Sequence, residues 1–237
     1  MESRMLRIGR LAGADILIDP SLLLIGPLLI FMFADQFDGP GPGRGYVLAA
    51  IFIVALYASI FIHELAHLLM GRAGGRSAHS IVLMLFGGVT HFDEGPRGPG
   101  QQFLTAIVGP VASLAVGAAS LTLAGISSGW LASVTWSLGV TNILLGLFNL
   151  LPGLPLDGGQ AVRAVIWKLT GRVTAGIVAT AWIGRAVAIL LVLATVLLVD
   201  HDRSDWIVSI GFALIVAWMM WRAAGDSLAY LRQGGAL

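Results

Sequence analysis

The chain has 237 residues, of which 57% are hydrophobic and only 11% are charged, and its mean hydropathy is +0.88. An ordinary soluble domain is about a quarter charged, so this composition excludes that class and predicts an integral membrane protein. The net charge of +1 argues against a nucleic-acid partner, and the absence of cysteine excludes a disulfide framework or a thiolate metal site.

Stretches long and apolar enough to cross a bilayer recur along the chain. A transmembrane helix needs about 20 mostly apolar residues. Six windows meet this requirement, near residues 16–34, 46–70, 102–125, 130–151, 176–199 and 206–223. The first follows three arginines, as a signal peptide would, but it lacks a small-residue cleavage pattern and is interpreted as a retained span. The sequence therefore predicts an α-helical polytopic membrane protein with about six transmembrane helices.

The basic residues indicate how these spans are oriented. Lys and Arg are concentrated at the two termini and in two internal segments, and the remaining loops hold few of them. The positive-inside rule assigns the basic segments to the cytoplasm. Both termini and residues 72–100 are therefore expected on the cytoplasmic side, and residues 36–44 and 200–205 are expected outside.

Two segments have the pattern of short β-hairpins. Residues 6–19, LRIGRLAGADILID, alternate apolar and polar residues around Gly13 and lead into the first span. Residues 79–95, HSIVLMLFGGVTHFDEG, are rich in β-branched and aromatic residues, are broken by Gly87–Gly88 and are too short to cross. They are interpreted as a re-entrant hairpin, which is tolerated at membrane depth only where protein or water covers its backbone.

Residues 63–67, HELAH, place three ionisable side chains inside the second apolar window. On a helix, His63 and His67 lie about 40° apart around the axis and about 6 Å apart along it, so both imidazoles can bind one ion. Glu64 is rotated by about 100° from His63, where it can take a proton from a metal-bound water. A bound Zn²⁺ lowers the pKa of such a water to about 7. The spacing predicts a zinc site with Glu64 as the general base.

The alternative for HELAH is a satisfied polar cluster between helices, which is the common role of a lone histidine in a membrane helix. Three ionisable groups within five residues argue against that role. Placing even one charged side chain at mid-bilayer costs about 2.5–3.5 kcal/mol. A metal site is therefore the favoured interpretation.

A catalytic zinc site takes a third protein ligand besides two histidines. Asp157, in NLLPGLPLDGGQ at residues 149–160, lies at the cytoplasmic end of the fourth predicted span, at the depth of the HELAH histidines. The two prolines of this segment stop a regular helix and let the chain direct a carboxylate inward. Taken alone, the segment is equally well a turn in which Asp157 caps a helix at 158–170. Beside HELAH, a metal ligand is favoured.

HELAH and the later NLLPGLPLDG together resemble the motifs of the site-2 protease family of intramembrane zinc metalloproteases. RIGRLAGADILIDPS, LFGGVTHF and GPVAS also occur in the family's order, so the resemblance covers nearly the whole chain. It implies that His63, His67 and Asp157 bind one Zn²⁺ per chain and that Glu64 is the general base. It further implies the six-span bacterial branch, whose members often carry C-terminal CBS domains. By that comparison this chain is either a short member or one that ends after its membrane domain.

The resemblance also implies a domain division and an activity. Residues 1–20 would form an N-terminal hairpin, and residues 21–237 a six-span metalloprotease domain with the re-entrant hairpin at about 79–95. The implied activity is hydrolysis of a peptide bond within or next to a transmembrane segment of another membrane protein, near the cytoplasmic side, in regulated intramembrane proteolysis. An anti-sigma factor or another signalling factor is the kind of substrate implied. The implied location is the lipid bilayer of a bacterial cell membrane, and a homo-oligomer is left open.

Several further residues have candidate roles near such a site. Asn149 is either a group that contacts substrate or the oxyanion, or an interhelical hydrogen-bond donor. Gly87, Gly88 and Val89 lie in the second hairpin, whose edge can hold an unwound substrate by strand addition, because glycine permits close approach of another chain. His91 can donate to a scissile carbonyl, but an interfacial hairpin histidine is the simpler interpretation.

The segment GPVAS has a simpler explanation than chemistry. Gly109 and Ser113 are four residues apart, the spacing of small residues that lets two membrane helices approach closely. Helix packing is therefore the expected role of both residues.

Two other functions use similar residues. A membrane metal transporter or sensor needs the ligands but no general base, so Glu64 argues against it. A prenyl-protein type of zinc protease takes its third ligand, by resemblance, from a glutamate on a later helix. No later span of this chain contains a glutamate.

Overall fold

The computed structural model describes residues 5–37, 43–84, 87–199 and 206–233. Within these residues the chain forms seven α-helices and one β-sheet, which confirms the predicted helical membrane fold with short hairpins. Two compact units are present, one of Met1–Pro96 with Val108–Leu147 and one of Arg97–Ile107 with Phe148–Leu237. The loop at 200–205, most of the loop at 36–44 and the hairpin tip at 85–86 lie outside the described residues.

The first unit contains the sheet and most of four helices. In chain order its elements are β1 (Leu6–Leu11), β2 (Ala14–Ile18), α1 (Pro20–Ala34), a 3₁₀ turn (Asp35–Phe37), α2 (Arg44–Ala73), β3 (Ala78–Met84), β4 (Gly87–Phe92), α3 (Pro99–Ile126) and α4 (Gly129–Asn149). The first turns of α3 and the end of α4 belong to the second unit. That unit also contains α5 (Asp157–Thr170), α6 (Val173–Leu198) and α7 (Trp206–Gln233).

The two predicted hairpins are joined in one four-stranded sheet in the order β1–β2–β3–β4. β1 pairs antiparallel with β2, and β3 pairs antiparallel with β4, as hairpins require. β2 and β3 are parallel, with Ile16 opposite Ile81. A parallel pair needs a long crossover connection, and α1 and α2 together provide it. Alternation of residues predicts each hairpin, but pairing between hairpins so far apart leaves no local pattern.

The sheet packs on the C-terminal half of α2. Ile81 and Leu83 of β3 are buried in the same cluster as Ile60 and Leu68 of α2. In a membrane-spanning region such contacts are held by close van der Waals packing. It lays the sheet beside the turns of α2 that contain the HELAH residues.

The base of the β3–β4 hairpin is fastened to the end of α2. The ring of Phe92 occupies the space that a Cβ on Gly71 would fill, so the missing side chain lets the strand approach the helix. The Arg76 guanidinium lies 3.8 Å from the centre of the Phe92 ring and donates hydrogen bonds of 2.8 and 3.1 Å to the carbonyl oxygen of Glu94. Burial lowers the pKa of Arg76, but an arginine side chain stays protonated in proteins.

Helix α1 begins at a cap encoded in the sequence. Asp19 is the N-cap residue, its carboxylate accepts a 2.8 Å hydrogen bond from the N–H of Ser21, and Pro20 stands at the first helical position. The hydrogen bonds from Ser21 lower the pKa of Asp19. This cap fixes the point at which the chain leaves β2 and enters the first span.

Among the residues that the structure describes, six helices are long and apolar enough to cross a membrane. They are Pro20–Phe37, Arg44–Ala73, Pro99–Ile126, Gly129–Asn149, Val173–Leu198 and Trp206–Gln233. Each contains most or all of one window predicted from the sequence, although the last helix continues well past the predicted end at residue 223. α5 has 14 residues, too few to span. The protein is therefore a multi-pass membrane protein.

Candidate metal centre

The HELAH residues occupy a buried stretch of α2. His63, Glu64 and His67 are 5%, 6% and 8% exposed. One helical turn separates the two histidines, and their Nε2 atoms lie 3.1 Å apart. The rings meet edge to face, with 4.8 Å between their centres. The two imidazoles therefore present a pair of nitrogen atoms to the same point.

This separation fits a pair of zinc ligands. Zn–N bonds of about 2.0–2.1 Å in tetrahedral geometry place two nitrogen atoms about 3.3–3.4 Å apart. The observed distance between the Nε2 atoms is 3.1 Å, and a small rotation of the side chains would bring it to the expected value. Imidazole nitrogen is also one of the usual zinc donors, and this chain has no cysteine thiolate to offer instead.

A serine on α3 orients the first imidazole. The Oγ atom of Ser113 lies 2.9 Å from Nδ1 of His63, and Ser113 is fully buried. When Nδ1 carries the proton and donates to this oxygen, the lone pair of Nε2 points at the partner imidazole. Partners of this kind fix the tautomer and the ring orientation of metal-binding histidines.

A glycine on α3 leaves room beside both imidazoles. A Cβ built on Gly109 would fall on Nε2 of His67 and within 2.7 Å of Nε2 of His63. Any side chain at this position would therefore occupy the space where the two nitrogen atoms converge. The interpretation of Gly109 and Ser113 as packing residues is incomplete, because both contact the histidines as well as allowing α3 to approach α2.

Strand β4 contacts Glu64 directly. Oγ1 of Thr90 lies 2.8 Å from the Oε2 atom of Glu64 and 3.1 Å from its carbonyl oxygen. A Cβ on Gly88 would fall on Cγ of Glu64 and lie 3.0 Å from its Oε1. Residues 88 and 90 share one face of the strand, so this face of β4 covers the carboxylate.

The neighbouring side chains of β4 point the other way, because successive residues of a strand alternate. Val89 is 40% exposed. The Nδ1 atom of His91 lies 3.3 Å from the hydroxyl of Ser80, and its ring stacks on His79. His91 thus lies on the face of β4 opposite Thr90, which favours its interpretation as a hairpin residue.

In the second unit, Asp157 lies at the start of α5. Residues 150–156 form turns, and Asp157 is the first helical residue. The N-cap position is Leu156, without a side-chain hydrogen bond, so Asp157 is not the cap residue. A carboxylate in the first turn is favoured by the helix dipole. Asn149 is the last residue of α4, and its role stays a prediction.

Two contacts of this centre were missed by reasoning from the sequence. Thr90 is one of several polar residues in the second hairpin, and no local pattern distinguishes it as the partner of Glu64. Ser113 had one signal, its position four residues after Gly109 and hence on the same face of α3. Both contacts join residues far apart in the chain, so only the packed structure reveals them.

The fold and the paired histidines define a multi-pass membrane protein with a candidate metal centre on α2, and comparisons identify the family to which it belongs. The model of peptidase family M50 matches residues 51–135 and 124–193. A Mycobacterium tuberculosis protein assigned as zinc metalloprotease Rip3 is 41% identical over 196 residues, covering 78% of this chain and 49% of that protein. The Synechocystis protein sll0528, also assigned as a zinc metalloprotease, is 32% identical over 231 residues, covering 94% and 59%.

A comparison of the fold with solved structures agrees with the sequence matches. The structure of a site-2 protease from Methanocaldococcus jannaschii superposes with a TM-score of 0.65 at 22% identity, over 94% of each chain. This chain belongs to peptidase family M50, the site-2 protease family of zinc metalloproteases. It spans about half the length of the curated relatives it matches.

Proposed function

We propose that this protein is an intramembrane zinc endopeptidase in which His63, His67 and Asp157 hold one zinc ion and Glu64 is the general base. The observation that carries the proposal is the pair of buried Nε2 atoms, 3.1 Å apart, with a glutamate beside them in a membrane-spanning helix. A structural polar cluster would not need that glutamate. Membership of a zinc metalloprotease family supports the same assignment.

Asp157 supplies the third ligand in this proposal. Two imidazole nitrogens and one carboxylate oxygen are a donor set that zinc takes in hydrolases, with one position left for water or substrate. The carboxylate stands in the first turn of α5, directly after the turns that end α4. It lies in the second of the two motifs that resemble those of the family.

The residues around the centre can carry out peptide hydrolysis. A zinc ion held by His63, His67 and Asp157 would supply Lewis-acid chemistry, which polarises a carbonyl and lowers the pKa of water. Glu64 takes a proton from the attacking water and returns it to the leaving amine. Thr90 holds the Glu64 carboxylate in position through its hydroxyl, and Ser113 holds the His63 ring.

The proposed substrate is a transmembrane segment of another membrane protein. A helix hides its peptide bonds, so the segment must unwind before it is cut. β4 is an edge strand of the sheet, and its residues 87–89 include the exposed Val89. A substrate strand paired to this edge would satisfy its own amides, and it would lie beside the strand that covers Glu64. Asn149 is a second candidate contact.

The cellular setting follows from the charge distribution and the resemblance. Both termini are proposed to lie in the cytoplasm of a bacterium, because they and two internal segments hold most of the Lys and Arg residues, and such basic segments stay on the cytoplasmic side. Cleavage is proposed to occur near the same face. The proposed substrate class is an anti-sigma factor or another membrane-anchored signalling protein.

Detergent-purified protein tests the chemistry directly. Glu64→Gln is expected to keep its zinc and its fold but to lose cleavage of a transmembrane substrate by about 10²–10⁴-fold, because the amide cannot accept the proton. Asp157→Ala is expected to lose zinc, measured by elemental analysis. Cleavage by Glu64→Gln within tenfold of wild type would reject the general base. Stoichiometric zinc without any peptide hydrolysis by the wild type would instead indicate a metal transporter or sensor.

A further inference from the structure

Gln102, Gly109 and Ser113 lie along one face of α3. At about 100° per residue, their positions around the helix axis differ by no more than about 40°. Gly109 adjoins both imidazoles, and Ser113 contacts His63. Gln102 is two turns nearer the start of the helix, about 10 Å along the axis from Gly109.

At Gln102 this face contacts α5. The side-chain Nε2 atom of Gln102 donates a 2.9 Å hydrogen bond to Oε1 of Gln160. Gln160 lies one turn after Asp157 on α5. Gln102 is only 6% exposed, and its Oε1 atom has no hydrogen-bond partner among the residues the structure describes. One hydrogen bond thus joins the first turns of α3 to α5 within the second unit.

A buried amide with an unpaired oxygen is a costly way to hold two helices together. Two apolar side chains of similar volume would pack without leaving a polar atom unsatisfied. A hydrogen bond adds direction, because it has a preferred length and angle, and so it limits the rotation of α5 about its own axis. No side-chain cap fixes that rotation at the N-terminus of α5.

We propose that Gln102 and Gln160 are positioning residues for the metal centre. Their hydrogen bond fixes the rotation of α5 relative to the first turns of α3. It thereby holds the Asp157 carboxylate in the orientation that binds the ion. Metal ligands must be held within about 0.5 Å of their productive geometry, and a hydrogen bond one turn from the ligand restrains it at that scale. The inference rests on the proposed function, because the role of Asp157 as a ligand belongs to it.

The test is the zinc dissociation constant, measured by competition with a chelator. Gln102→Met, Gln160→Met and the double variant are compared with wild type and with Asp157→Ala. Gln101→Met is the matched control, since Gln101 is the neighbouring glutamine and its side chain accepts a hydrogen bond from the N–H of Arg97, just before α3. Each single variant is expected to bind zinc about tenfold more weakly, as outer-shell substitutions do.

The double variant should bind no more weakly than either single variant, because all three remove the same bond. The melting temperatures of the metal-free variants should stay within about 3 °C of wild type, and cleavage should recover at saturating zinc. Gln101→Met should bind zinc as the wild type does. Purely structural residues would lower the melting temperature without this selective loss of zinc affinity.

The outcomes separate the two proposals. If Asp157→Ala weakens zinc binding while the glutamine variants bind within twofold of wild type, the positioning role is rejected and the ligand set stands. If the two glutamine substitutions act additively, they do not share one bond, and the inference also fails. If Asp157→Ala binds zinc as tightly as wild type, the ligand set of the proposed function is itself rejected.

Discussion

The hydroxyl of Thr90 lies 2.8 Å from the Oε2 atom of Glu64 and so joins strand β4 to the glutamate of HELAH. The two residues are 26 positions apart in the chain and belong to different elements. The contact gives the proposed general base a fixed orientation, and it places the edge strand of the sheet beside that base.

Removal of this hydroxyl should slow cleavage and leave the metal in place. Thr90→Val keeps the side-chain shape but cannot donate to Glu64, so we expect kcat to fall about tenfold, in the range of outer-shell substitutions. Thr90→Ser keeps the hydroxyl and should retain most of the activity. Both variants should contain as much zinc as the wild type. Thr90→Val with a kcat within twofold of wild type would show that the contact does not orient Glu64.

A single methyl group on α3 should abolish metal binding. In Gly109→Ala the new Cβ falls on Nε2 of His67 and beside Nε2 of His63, so we expect less than about a tenth of the wild-type zinc content. Gly125→Ala is the control in the same helix, because a Cβ there meets nothing within 4 Å. Full zinc content in Gly109→Ala would mean that the ion is bound elsewhere.

Loss of the Ser113 hydroxyl should weaken zinc binding without unfolding the bundle. Ser113→Ala removes the partner of His63 Nδ1, and we expect the zinc dissociation constant to rise about tenfold. Ser120→Ala, which alters another buried serine of α3, should leave the constant unchanged. Equal zinc dissociation constants for the two variants would show that the Ser113 hydroxyl does not orient His63 for metal binding.

The strand-addition mechanism predicts that a change in β4 can abolish cleavage while the metal centre stays intact. Val89→Pro removes a backbone donor and distorts β4 without altering any proposed zinc ligand, so most cleavage of a full transmembrane substrate should be lost. Val89→Thr retains the N–H and should cleave normally. Zinc content and melting temperature should stay near wild type in both. Wild-type rates for Val89→Pro would remove strand addition and leave the zinc chemistry standing.

The proposed orientation of the spans across the membrane can be measured by labelling introduced cysteines, because the chain contains no cysteine of its own. Arg97→Cys, in an exposed segment before α3, should react with an impermeant thiol reagent only after the cells are opened. Ser128→Cys, in the turn between α3 and α4, should react in intact cells. If Arg97→Cys is labelled in intact cells, the spans have the opposite orientation and the cleavage site lies near the outer face.

The spans and the histidine pair could be predicted because their signals are local. A run of about 20 apolar residues has few alternatives to a membrane helix. Likewise, two histidines four residues apart must share a face of any helix that contains them, and α2 places their Nε2 atoms 3.1 Å apart. The Pro-rich turn before Asp157 interrupts the helix for the same local reason, the missing backbone donor of proline.

The contacts between segments distant in the chain depend on how the whole chain packs. The parallel pairing of β2 with β3 and three side-chain contacts all join different elements. These contacts are Thr90 with Glu64, Ser113 with His63, and the hydrogen bond between the side-chain amides of Gln102 and Gln160. A hydroxyl or amide side chain carries no periodic signal, and its partner is selected by packing and by the need of a buried polar group to be hydrogen-bonded. The local spacing of residues therefore indicates the candidate metal ligands, and the packing places the residues that contact them.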